Sequence, residues 1–182
     1  FGLRSASHLS VWKNETKLYI NALKVNPKSF ASYNNMGLSL AKKEKLDEAE
    51  LSFREALKIW PGYPDANTNL GVALAGRGKI NEAISLYKKA LKNRPGHPNA
   101  NLNLGVALAK QGKLDEAIAH YKETVRFEPF NELAHSNIGA AYAKKGNFDE
   151  AILHFSKALK IKPDFDTVKI YLDMAIKERD KK

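Results

Sequence analysis

The 182-residue chain has no cysteine, two methionines and two tryptophans. It can therefore build neither a disulfide framework nor a thiolate metal site, and its redox compartment stays open. No run of 18 apolar residues occurs, which excludes a membrane-spanning helix within the segment. The first residues lack the pattern of a secretory signal, and a chain that opens on Phe1 is expected to be a segment of a longer product. There is no HExxH pattern and no phosphate-binding glycine loop. Proline is scarce, seven residues in all, yet five of the seven are periodic.

Those five are Pro27, Pro61, Pro95, Pro129 and Pro163, each 34 residues after the last (61−27, 95−61, 129−95, 163−129). Gly37, Gly71, Gly105 and Gly139 keep the same step, as do Ala49, Ala83, Ala117 and Ala151. Three residue types on one period describe a helix–turn–helix unit that cannot bury its apolar face alone and must stack on its copies. Within one unit, Ala66, Leu70 and Leu74 form one apolar stripe, and Ile80, Ala83, Ile84, Tyr87, Ala90 and Leu91 form another. Spacings of three and four predict two amphipathic helices. Gly78 suits the left-handed turn between them, Asn81 is expected to cap the second helix, and Pro95 ends it. Gly71 and Ala83 are small enough to let the pair approach closely.

The units fall at 30–63, 64–97, 98–131 and 132–165. Residues 1–29 read as a partial repeat holding only a second helix, with Trp12, Tyr19, Ala22 and Leu23 in its apolar places. Residues 166–182 continue a first-helix stripe through Val168, Tyr171, Leu172 and Ile176 and read as a solvating cap. Asp173 stands where the other units have glycine, which is tolerable only if no helix packs there. The whole of 1–182 is expected to form one domain.

The stretches NLGVALAGRGKINEAISLYKKALKNRP and NLGVALAKQGKLDEAIAHYKETVRFEP resemble the tetratricopeptide repeat (TPR) family over roughly nine-tenths of the chain. The resemblance implies an all-α TPR solenoid, a right-handed superhelix of antiparallel helix pairs with a concave groove lined by the first helices. It also implies a protein or peptide partner. Departures are local. The usual aromatic four residues before the glycine is Tyr33, Asn67, Asn101 and His135. Glu44 replaces an inter-helix glycine, where strain is expected, and Thr124 replaces an alanine. The N-terminal stretch SVWKNETKLYINALKVNP resembles the juncture after the last membrane span of TPR-bearing protein O-mannosyltransferases. That implies a membrane tether upstream of Phe1, with the repeats on the extracytoplasmic side; the alternative is a cytoplasmic scaffold.

Lysine and arginine number 30 against 20 acids, a net charge of +10. Lys42, Lys43, Lys45, Lys110, Lys113, Lys144 and Lys145 lie near turns, and Lys88, Lys89, Lys122 and Lys160 on second helices. This is a solvated outer face, without the interleaved aromatics that stack bases, so no nucleic-acid partner is expected. His120 and His154 occupy equivalent positions and could approach each other, but read as surface histidines; His8, His97 and His135 form no set. No metal or cofactor is expected. Asp47–Glu48, Asp115–Glu116 and Asp149–Glu150 are explained by capping and the helix dipole. With no nucleophile–base arrangement, the segment does not read as an enzyme. Asn14–Glu15–Thr16 matches a glycosylation sequon, but inside a predicted helix.

Asn35, Asn69, Asn103 and Asn137 each precede a repeat glycine by two residues. On the first helices they are expected to face the groove, where a side-chain amide can both donate to and accept from an extended backbone. This resembles the asparagine ladder of the O-linked N-acetylglucosamine transferases. Leu38, Val72, Val106 and Ala140 would supply apolar contacts beside it. The carboxylate clamp of chaperone-tail TPRs is not matched at Thr68, Val72, Asn99 and Asn103. The alternatives are an acceptor-presenting domain of a membrane-embedded glycosyltransferase and a self-assembly module, the latter through weak association at the Trp12 end.

Overall fold

The computed structural model describes residues 15–181; His8, Trp12 and Asn14 lie outside them. All regular structure among the described residues is helical. A helix over 15–25 (α1) is followed by α2 (Phe30–Ala41), α3 (Leu46–Ile59), α4 (Pro64–Gly76), α5 (Ile80–Asn93), α6 (Pro98–Lys110), α7 (Leu114–Phe127), α8 (Glu132–Lys144), α9 (Phe148–Ile161) and α10 (Asp166–Arg179). First helices start at 30, 64, 98, 132 and 166, and second helices at 46, 80, 114 and 148, each step being 34 residues. The chain divides into two compact units, one ending at Asn93 and one beginning at Arg94.

Local chemistry sets where these helices begin. Pro64 and Pro98 sit in the first turn of α4 and α6, where the missing N–H costs nothing. Ser29, His97, Asn131 and Asn147 accept side-chain capping bonds from the backbone N–H three residues on. Asn81 does not cap α5. Gly78, at φ +80°, reverses the chain early enough for the Lys79 carbonyl to accept the Ala83 N–H, so Asn81 falls inside the first turn. The acidic pairs at 47–48, 115–116 and 149–150 are likewise first-turn residues, favoured by the helix dipole rather than acting as caps. Gly112 and Gly146 repeat the positive φ of Gly78, and Glu44 adopts φ +61° at the equivalent place. The expected strain at Glu44 is therefore present.

In the first unit Ala49, Phe53, Ala56, Ala66, Leu70, Leu74, Ala83, Tyr87 and Ala90 are buried. The repeat glycine is what admits the large ring: a Cβ on Gly71 would stand 2.5 Å from Tyr87 Cε1. Gly37 meets Phe53 in the same way, and in the second unit Gly105 meets Tyr121 and Gly139 meets Phe155. Thr16 on α1 hydrogen-bonds Ser39 on α2 at 2.8 Å and accepts from Lys43. Arg77 pairs with Asp47 and Glu50, joining α4 to α3. Trp60 stacks on Tyr63, and both rings pack edge-on against Phe30.

The second unit repeats the pattern and closes on α10. Val168 and Ala175 enter one cluster with Ala151, Phe155 and Ala158, while Ile152, Leu159 and Leu172 pack around it. Asp173 is exposed, as a position facing no further helix requires. Lys145 pairs with Asp115, repeating the Arg77–Asp47 link 68 residues on (145−77, 115−47). Thr124 is fully buried, and its hydroxyl donates to the His120 carbonyl at 3.2 Å and, more weakly, to that of Pro98.

Candidate functional site

First helices carry the asparagine positions, and their spacing of 34 puts each at the same register of its helix. In the first unit Asn35 and Leu38 lie on α2, and Asn69 and Val72 on α4. Both asparagines are half-buried, while Leu38 and Val72 are exposed. Asn69 Nδ2 donates to Asn34 Oδ1 at 2.9 Å, and Asn34 Nδ2 in turn points at Asn35 Oδ1, at 3.4 Å. The Asn69 amide is thus committed to a link between α2 and α4.

The second unit differs. Asn103 donates to its own helix, at the Asn99 carbonyl 2.8 Å away, which leaves its Oδ1 available as an acceptor. Asn137 lines a shallow cleft of about 190 Å³ between α6 and α8, with Val106, Ala109, Lys110, Ala140 and Lys144 among its walls. Small residues at 109, 140 and 141 keep the cleft open, and the buried Tyr121 reaches its floor. Two lysines and no acid line it.

A second set of polar residues fills places that usually hold aromatics, on the side of the first helices that meets the second. Asn67 is 1% exposed and donates to the carbonyls of Pro61 and Tyr63, at 3.0 and 2.9 Å. Asn101 donates to the Pro95 carbonyl at 2.9 Å, and its Oδ1 lies 2.9 Å from His120 Nδ1. His135 takes the same place in the next repeat: Nε2 is 3.2 Å from the Pro129 carbonyl, and Nδ1 is 3.2 Å from His154 Nδ1. These residues tie the proline turn to the helix pair. Recurrence of an amide or imidazole six positions after Pro61, Pro95 and Pro129 is the signal the sequence offers.

The histidine readings need correction accordingly. His120 and His154 do not pair with each other; each turns to the first helix of its own repeat, 19 residues back, where residues 101 and 135 wait. His154 is buried rather than a surface residue, and His135 does belong to a set. Burial, then Lys157, His135 and Lys122, push the His154 pKa down to about 4. Burial also lowers that of His135, against a smaller opposing pull from the Pro129 carbonyl. Among the described residues no three histidine, aspartate or glutamate side chains are grouped to hold a metal ion, and no helix is long and apolar enough to cross a membrane.

Tetratricopeptide repeat family models match residues 28–96, 68–132 and 133–165. The chain belongs to the tetratricopeptide repeat family. Its fold is the all-α TPR solenoid class, and its architecture is that of a protein-interaction scaffold. Among curated proteins it is 40% identical over 57 residues to protein O-mannosyl-transferase tmtc2 of Xenopus laevis and 39% identical over 57 residues to the Homo sapiens TMTC2. That match covers 31% of this chain, and the chain spans about 7% of the length of those relatives. Among solved structures, the type IV pilus biogenesis factor PilW is 25% identical with a TM-score of 0.82, over 96% of this chain and 83% of PilW. YrrB, described as a TPR protein with an unusual peptide-binding site, is 25% identical with a TM-score of 0.69, over 91% of this chain and 85% of its own.

Proposed function

We propose that this TPR scaffold holds an extended segment of a protein partner on its first helices, through backbone hydrogen bonds to asparagine amides. The α6–α8 cleft carries the reading: Asn137 stands in it beside Val106 and Ala140, and Asn103 precedes Val106 by three residues on α6, which puts the two on one side of that helix. An extended chain offers a donor and an acceptor at every residue, and a half-buried amide can answer both. A cleft of about 190 Å³ suits one modest apolar side chain, and Lys110 and Lys144 favour a segment bearing carboxylates. The likeness to YrrB, whose description includes a peptide-binding site, supports the class of ligand. On the first unit Asn35, Leu38 and Val72 would serve similarly, with Asn69 acting mainly as a tie.

The test is an NMR titration of the chain with unstructured peptides, acidic and neutral. Amide shifts should concentrate at Asn103, Val106, Asn137 and Ala140, more strongly for acidic peptides. Shifts confined to Lys88, Lys122 and Lys160 would place recognition on the second-helix face and end this reading.

A second reading is favoured by the O-mannosyl-transferase matches: an acceptor-presenting part of a longer membrane glycosyltransferase. It shares the groove and adds a catalytic unit elsewhere in the gene product. Sequence upstream of Phe1 decides it, since a series of apolar spans there supports it and a span-free region removes it.

A further inference from the structure

We propose that the α8–α9 repeat contains an acid-sensitive clasp, the His135–His154 pair, which holds the repeat closed at neutral pH and opens it on protonation. The inference about opening stands on the pair itself. Its consequence for ligand binding rests on the groove reading, because α8 also carries Asn137 and Ala140.

The hydrogen bonds fix the protons. A carbonyl can only accept, so His135 Nε2 must donate to Pro129 O. Neutral His135 then presents a lone pair at Nδ1, which accepts from Nδ1–H of His154. One neutral imidazole thus bridges the proline turn to α9, and the pair is nearly sealed from solvent, at 6% and 9% exposure. A first proton meets ammonium groups that bear on the pair: Lys157 from α9 and Lys122 from α7, the latter bonded to the Tyr142 hydroxyl of α8. The Tyr142 ring lies 6.1 Å from that of His154 and supplies no charge to offset a proton. A second proton would set two N–H donors against each other across 3.2 Å.

Neighbouring repeats show that the clasp is a substitution and not a necessity. The α6–α7 repeat uses Asn101 with His120, an amide that cannot take a proton at these pH values. The α4–α5 repeat has Asn67 with Leu86 near it, and no titratable group in either place. Both repeats keep the bond to the proline carbonyl.

The sign follows from burial. The folded pKa of His154 lies below its unfolded value of 6.5, at about 4. Stability from the neutral pair is therefore complete above pH 6.5 and is lost as pH falls from there toward 4. His154 alone multiplies the opening equilibrium by roughly ten- to a hundredfold between pH 7.5 and 4.5.

Hydrogen exchange on the full chain tests this, with protection corrected for intrinsic rates and α6–α7 as internal reference. Protection in α8 and α9 should fall by roughly ten- to a hundredfold from pH 7.5 to 4.5, relative to α6 and α7. The double variant His135→Asn/His154→Leu, which copies the Asn67–Leu86 arrangement, should remove most of that difference. An equal fall in the variant, or no fall in the wild type, overturns the clasp. If the double variant does not fold, nitrogen shifts of the wild-type imidazoles decide instead. Nδ1–H on His154 with Nε2–H on His135 at pH 7, and no His154 charge by pH 5.5, uphold the proposal; the opposite tautomers or a charged His154 at pH 5.5 overturn it. Acid opening with unchanged binding of an acidic peptide would uphold the clasp and count against the α6–α8 groove.

Discussion

Tyr87 fills the space that a side chain on Gly71 would need, and the contact shows how narrowly each helix pair is specified. Alanine gains about 1 kcal/mol of helix propensity over glycine, but overpacking a buried ring costs about 1–3 kcal/mol. Gly71→Ala should therefore lower the stability of the first unit by up to about 2 kcal/mol, read from its denaturant midpoint. The opposite exchange helps at Glu44. A left-handed φ of +61° costs a residue with a Cβ roughly 1–2 kcal/mol, and glycine gives some of that back as unfolded-state entropy. Glu44→Gly should stabilise the first unit by about 0.5–1 kcal/mol; a loss of stability there would show that the Glu44 side chain is needed. Both residues were legible in the sequence, because a glycine on a 34-residue period announces its backbone and its exception alike. The asparagine and histidine ties were not. Asn67, Asn101 and His135 read only as missing aromatics, since their partners are backbone carbonyls and a side chain 19 residues away.

Helix positions follow from period and punctuation, so all the first and second helices described begin in the register that proline and glycine mark. The misreading at Asn81 was one of phase. Gly78 reverses the chain sooner than a capping asparagine would require, and the helix starts two residues earlier. The terminal helix α10 is where element logic makes its sharpest prediction. Phe155 is 1% exposed because Val168 and its neighbours cover it. Deleting residues 166–182 would re-expose that ring and forfeit about 1.5–3 kcal/mol, roughly a ten- to hundredfold increase in local opening. Protection from exchange should be lost first in α9, next in α8, and least in α6 and α7, because stacked repeats couple to their nearest neighbours. Uniform loss along the second unit would show instead that it opens as one body.

For the whole molecule, periodicity carries the fold and the first-helix face carries the proposed function. Excess positive charge, +10 over the chain, sits on turns and second helices as well as at Lys110 and Lys144, and under the proposed function it would favour acidic partners without naming one. Asparagine recurrence was visible in the sequence, but not that Asn69 would be occupied by Asn34 while Asn137 stood in a cleft. That contrast chooses the decisive variant. Asn103→Ala together with Asn137→Ala removes two amides from the α6–α8 face and leaves the α2–α4 tie untouched. Alanine is the better helix former, so circular dichroism should show an intact fold. Each lost hydrogen bond is worth about 0.5–1.5 kcal/mol, so affinity for unstructured peptides, measured by fluorescence polarisation, should fall roughly five- to a hundredfold across the panel. A folded double variant that binds the same peptides as tightly as the parent would contradict the account.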